Sequence, residues 1–174
     1  MTFTHLHLHS QYSFLDGSIR INDLVFRLLQ LKMKSIALTD TGNMFGILDF
    51  YTSMIKYGLK PIIGMEIYIL DSHMLQKKKP NKYSLVLIAK NNLGLHNLKL
   101  LSTKAFFDGK LYYPQVNKQT LFRHKEGLIV LSSGICGEIG QSVLQNNLKD
   151  AATIMCNYKD IFGYNNFFFR IASA

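Results

Sequence analysis

Apolar residues in this chain gather in short unbroken runs, and between the runs they recur at helical spacing. Short apolar runs fit strands buried on both faces, while i, i+3, i+4 spacing fits helices that bury one stripe. The first segment differs from both. Histidine alternates with leucine from His5 to His9. An extended strand over residues 3 to 9 would place His5, His7 and His9 on one face and Leu6 and Leu8 on the other. A loop around Asp16-Gly17 follows. Asn22 then caps a helix whose buried stripe is read as Leu24, Val25, Leu28, Leu29 and Met33.

Further strands are predicted over residues 35–39, 62–70, 83–89, 127–132 and 166–171, which gives about six in all. Residues 44 to 57 read as a helix with Phe45, Leu48, Tyr51 and Ile55 on its packed face, ended by Gly58. A third helix starts at Asn91 or Asn92. Residues 71–82 and 106–120 read as irregular. A last helix is broken near Asn146-Asn147 and resumes to Phe162. Strand and helix alternate, which points to an α/β architecture with parallel strands covered by helices. Polar groups collect at strand ends: His7 and His9, then Asp40, then Ser132 and Ser133. A (β/α) barrel carries its chemistry at that end of its strands. No strand is followed by a GxGxxG turn, so a dinucleotide fold has no support.

Composition changes this picture little. The chain has 174 residues, is 48% hydrophobic, and contains only two cysteines with neither a CxxC nor a disulfide framework. No apolar run reaches the roughly 20 residues of a membrane span. A cytoplasmic protein without a membrane role is the expectation. The net charge of +9 favours an anionic partner such as DNA. Alternating imidazoles can converge on a metal ion, and Glu66 inside an apolar strand needs a metal, a histidine or a base beside it. Phe167-Phe168-Phe169 reads as the core of the last strand.

The segments His5 to Gly17, Ala37 to Gly46, Lys60 to Tyr68, Leu85 to Asn91 and Gly127 to Ser132 together are familiar. They resemble, in order, the polymerase-and-histidinol-phosphatase (PHP) domain found at the N-terminus of bacterial DNA polymerase III alpha subunits. The resemblance implies residues 1–174 as a single PHP domain without the polymerase palm. It implies a distorted TIM-like (β/α) barrel, incomplete at the C-terminus. Active members hold up to three divalent ions (zinc, manganese or magnesium) that activate water against a phosphodiester.

His7, His9, Asp16 and Glu66 match metal ligands of that pattern. Thr41, Ser84 and Gly134 stand where the family has two histidines and a cysteine, and Arg170 stands where it often has a glutamate. Threonine and serine replace imidazole poorly, and glycine has no side chain to offer. The resemblance therefore implies a degenerate centre with metal partial or absent, and a structural or docking role in DNA replication. The partners implied are DNA, the rest of the alpha subunit and other replisome subunits. The parent would be a DNA-directed DNA polymerase. Two alternatives are an active metal-dependent 3′–5′ exonuclease or phosphoesterase, and a truncated non-catalytic DNA-binding module.

Overall fold

A computed structural model describes residues 3–70, 82–108 and 114–170. The expected loop over 71–82, with His73 and the Lys77–Lys79 run, therefore falls almost entirely outside the described residues, as do Tyr112 and Tyr113. One mixed sheet organises the chain. Its order is β1 (Ser35–Leu38), β2 (Lys60–Leu70), β3 (Lys82–Ala89), β5 (Leu128–Ser132) and β6 (Phe167–Phe168), with β4 (Gln115–Asn117) beside the end of β2. β1 and β4 share one edge of β2, both parallel to it. β3 runs antiparallel to β2 and to β5, and β6 is parallel to β5.

The expectation of parallel strands is thus corrected at β3. Its apolar run reads the same in either direction, because burial on both faces removes the alternation that would betray orientation. Adjacent antiparallel strands also need no crossover helix between them. A closed TIM-like barrel is not what the described residues form: the sheet is open, with mixed α and β content.

Residues 3 to 9 form no ladder strand, contrary to expectation. They run beside β1 with a bend at Leu6 and are held by Ala37 N–H to the His5 carbonyl and Thr39 N–H to the Leu8 carbonyl, both 2.9 Å. Three residues on this side match two on β1, so an extra residue interrupts the alternation. His5 consequently leaves the other two histidines. It is exposed, with its ring edge-on to Phe3 at 4.7 Å.

The helices are α1 (Ile21–Gln30), α2 (Ile47–Lys56), α3 (Asn92–Asp108), α4 (Lys118–Arg123), α5 (Glu138–Leu144) and α6 (Leu148–Phe162), with a 3-10 turn at Gly134–Cys136. The break between α5 and α6 falls where the asparagine pair predicted it, and the Asn147 side chain accepts from the Asp150 N–H to cap α6. The stretch read as irregular contains the end of α3, β4 and α4. Asn117 caps α4 by accepting from the Thr120 N–H at 2.7 Å. The first helix starts at Ile21, with Arg20 rather than Asn22 at the cap position.

Two helix faces were misread. On α1, Leu24, Val25 and Leu28 are buried, but Leu29 is 41% exposed. On α2 the buried residues are Phe50 and Met54, whereas Leu48, Tyr51 and Ile55 face solvent, as does Phe45 just before the helix. This segment carries two apolar stripes, and spacing alone does not choose between them.

One sheet face is covered. Met65, Ile67 and Ile69 of β2, Leu85 and Leu87 of β3, and Val130 of β5 pack there with Leu98 and Leu101 of α3 and Tyr158 and Phe162 of α6. The opposite face carries a much smaller cluster, Val86, Ile88 and Leu131. A groove of about 900 Å³ opens over it, between residues 3–7 and 168–170. Of the aromatic triplet only Phe167 is buried; Phe168 and Phe169 line the groove, about half exposed.

Candidate metal centre

Strand register explains why Glu66 becomes part of a site. It pairs with Val86, and side chains directly opposite one another lie on the same sheet face. Ser84 is therefore its diagonal neighbour on the open face, and Ser133 and Arg170 continue across the sheet from there. The bridge between Thr41 and Glu66 brings the end of β1 to the same place.

His7 and His9 come down onto Glu66 from the N-terminal segment. Both Nε2 atoms lie 2.8 Å from the same oxygen, Glu66 Oε2. The two rings are edge-on at 4.7 Å. One donor atom from each of His7, His9 and Glu66 falls within 4.8 Å of the others, a spacing that could hold one metal ion. Burial pushes the Glu66 carboxyl up, but the hydrogen bonds from His7 and His9 outweigh it and hold the group well below the usual carboxylate range. Its hydrogen bond to Glu66 raises His9 above an ordinary histidine; burial opposes this, and the charges of Glu66, Asp40 and Asp16 add to it.

Asp16 is not brought into this cluster. It is exposed and sits in a turn, with its N–H donating to the Ser13 carbonyl at 3.0 Å. Gly17 makes that turn possible: a Cβ there would lie 2.2 Å from the Ser10 carbonyl oxygen. Thr41 does reach the centre, with Oγ1 3.5 Å from His9 Nε2. Ser84 lies near enough to favour the charged carboxylate, yet its hydroxyl closes no hydrogen bond of normal geometry. Ser84 Oγ, Ser133 Oγ and Arg170 Nε are buried without a hydrogen-bond partner among the described residues.

A second buried carboxylate holds the loop in place. Asp40, 2% exposed, accepts from the Ser10 N–H at 2.6 Å, the Ser10 hydroxyl at 2.8 Å and the Ser13 hydroxyl at 2.7 Å. Ser13 Oγ also accepts from the Thr41 N–H at 3.0 Å. Asp40 thus fixes the turn that follows the histidines. From sequence it was a strand-end carboxylate of unassigned role, and the signal available was its position one residue after an apolar run.

The largest departure from expectation is Arg170. Its guanidinium donates to His7 Nδ1, and its backbone N–H donates to the Ser132 hydroxyl at 2.9 Å. The arginine was visible in the sequence as an odd residue at its position, but its reach to a histidine at the other end of the chain was not.

Comparison with known proteins agrees with this architecture. The family model for the PHP domain matches residues 5–174. The chain belongs to the PHP domain family. It is 44% identical over 171 residues to DNA polymerase III subunit alpha of Helicobacter pylori strain J99, a match covering 92% of this chain and 14% of that protein. It is 40% identical to the corresponding subunit of Borreliella burgdorferi, over 97% of this chain and 15% of that one. The chain thus spans about one seventh of the length of these relatives. An amidohydrolase from Chromobacterium violaceum shares the fold, with a TM-score of 0.51 at 11% identity over 98% of this chain and 86% of that one.

A PHP domain implies divalent metal, and the residues here fit a full multi-metal set poorly. Thr41, Ser84 and Gly134 supply no imidazole or thiol. The three remaining donors are engaged with one another and, through His7, with an arginine. Three donors at suitable spacing remain, and nothing in that geometry selects zinc, manganese or magnesium.

Proposed function

We propose that this chain is the N-terminal PHP region of a replicative DNA polymerase III alpha subunit, residues 1–174 forming one PHP domain, and that its own role is structural rather than hydrolytic. The observation that carries the silent role is the engagement of His7, His9 and Glu66 by one another and by Arg170. Catalysis of phosphodiester hydrolysis by metal ions needs donors free to bind the ions and to leave positions open for water and substrate. The relatives support the polymerase assignment, and the net charge of +9 suits a protein working beside DNA in the cytoplasm. The open sheet, with residues 3–7 and 168–170 lining one groove, is read as part of a distorted (β/α) barrel wall. In this reading the domain supports the polymerase core and offers a docking surface to other replisome subunits.

The spacing of the three donors favours a second reading, a residual metal-dependent 3′–5′ exonuclease or phosphoesterase. One experiment separates the two. The intact polymerase and its His9→Gln variant are assayed for manganese- and zinc-dependent release of nucleotides from a primer 3′ end, alongside primer extension. The structural role expects no metal-dependent hydrolysis in either protein and primer extension retained in both. Hydrolysis in the parent that the variant loses would overturn it.

A further inference from the structure

We infer that Arg170 is the built-in cation of this centre and that it keeps His7 from binding a metal. This rests on the reading of the centre as a silenced metal site, and it names the residue responsible. The ligand capacity of His7 depends on which ring nitrogen carries the hydrogen. Arginine has N–H donors only and accepts nothing. The guanidinium contact therefore requires a bare Nδ1 on His7. The ring hydrogen must then sit on Nε2, where it is donated to Glu66 Oε2 at 2.8 Å. The chain Arg170 to His7 to Glu66 is satisfied in one direction, with the ring hydrogen on Nε2.

A metal centre needs the reverse. A ligating histidine binds through one bare nitrogen and donates its other N–H to a carboxylate, a carbonyl or water, which fixes the ring and raises its basicity. Arg170 places a donor where that acceptor belongs. Binding through Nε2 would force a hydrogen onto Nδ1, directly against the guanidinium. Binding through Nδ1 would require the guanidinium to leave. Either way His7 is lost as a ligand while Arg170 stays, and His9 and Glu66 alone are a poor set for zinc or manganese.

Gly134 is the second half of the arrangement. It lies at φ +54°, and a Cβ built on it would have the Arg170 Nη2 as its nearest neighbour, 3.9 Å away. A thiol at this position would extend from that Cβ toward the guanidinium. A side chain at position 134 would therefore stand beside the guanidinium, and this chain has a glycine there. Ser132 fixes the Arg170 backbone by accepting its N–H, and the Nε is buried.

The test compares the intact protein with Arg170→Glu, which puts an acceptor beside Nδ1, and with Arg170→Met, which removes the donor and keeps the bulk. Zinc and manganese binding are measured by calorimetry and by metal content after dialysis. The His7 ring nitrogens are read by nitrogen-15 NMR, a measurement on the unaltered protein that does not depend on the variants folding. The expected results are a protonated Nε2 in the parent and at least about tenfold tighter metal binding in Arg170→Glu, lost again on adding His7→Ala. A parent with bare Nε2 on His7 would overturn the inference. Equal and weak binding in parent and variants would also overturn it, while leaving the centre silent for want of ligands at 41, 84 and 134. Tight binding in the parent that His7→Ala abolishes would overturn both this inference and the silent reading.

Discussion

The two faces of the sheet are made from the same strands and follow opposite rules. On the covered face Met65, Ile67, Leu85, Leu87 and Val130 are almost fully buried against α3 and α6. On the other face a histidine–glutamate–arginine chain and two serine hydroxyls stand beside a small apolar cluster at the wall of an open groove. Removing atoms from the covered face leaves a cavity, whereas the open face carries Thr41, Ser84, Gly134 and Arg170 around a partly exposed polar cluster.

The sharpest way to break this contrast is Leu87→Ala on the covered face. It should cost about 4 kcal/mol, since a fully buried leucine leaves a cavity the helices cannot fill. Urea denaturation of the two proteins measures it. A loss under about 1 kcal/mol would mean that the helix-covered face is not the dominant core. Ile129→Ala, on the open face and only partly buried, should cost about 1 kcal/mol by the same assay.

Glu66→Gln keeps an acceptor for one histidine and removes the charge. Its signature is a change in the pH profile. Glu66 is held below its unfolded value of about 4.3, so its contribution is complete above that pH and is lost as pH falls below it. His9 is raised above its unfolded value of about 6.5, so its contribution is complete below that pH and is lost as pH rises through its folded value. Stability of the parent should therefore fall on both sides, and Glu66→Gln should flatten both limbs. An unchanged profile in denaturation midpoints from pH 3 to 9 would separate Glu66 from the two histidines.

The same residues show how far a linear reading reaches. The apolar runs located β1, β2, β3 and β5, and the asparagine pair located the break before α6, because burial and capping act over a few neighbours. Direction and partner act over longer distances. Nothing local to Tyr83–Ala89 distinguishes parallel from antiparallel, and nothing local to residues 47–56 selects Phe50 and Met54 over Leu48, Tyr51 and Ile55. An extra residue beside β1 separated His5 from the pair that the alternation joined to it.

For the site, residue chemistry alone nominated His5, His7, His9 and Glu66, because a carboxylate in an apolar strand and imidazoles at alternate positions each demand a polar partner; the family resemblance set His5 aside and added Asp16. Their meeting at one oxygen, and the exclusion of Asp16, required the strand register and the turn at Gly17. Arg170 and His7 stand 163 positions apart, and only the packing of β6 beside β5 brings a donor to the wrong side of an imidazole. Sequence determined which side chains had to be paired, since desolvation penalises a lone polar group wherever it is buried. Tertiary structure decided with what, since hydrogen bonds depend on direction and distances that spacing along a chain does not contain.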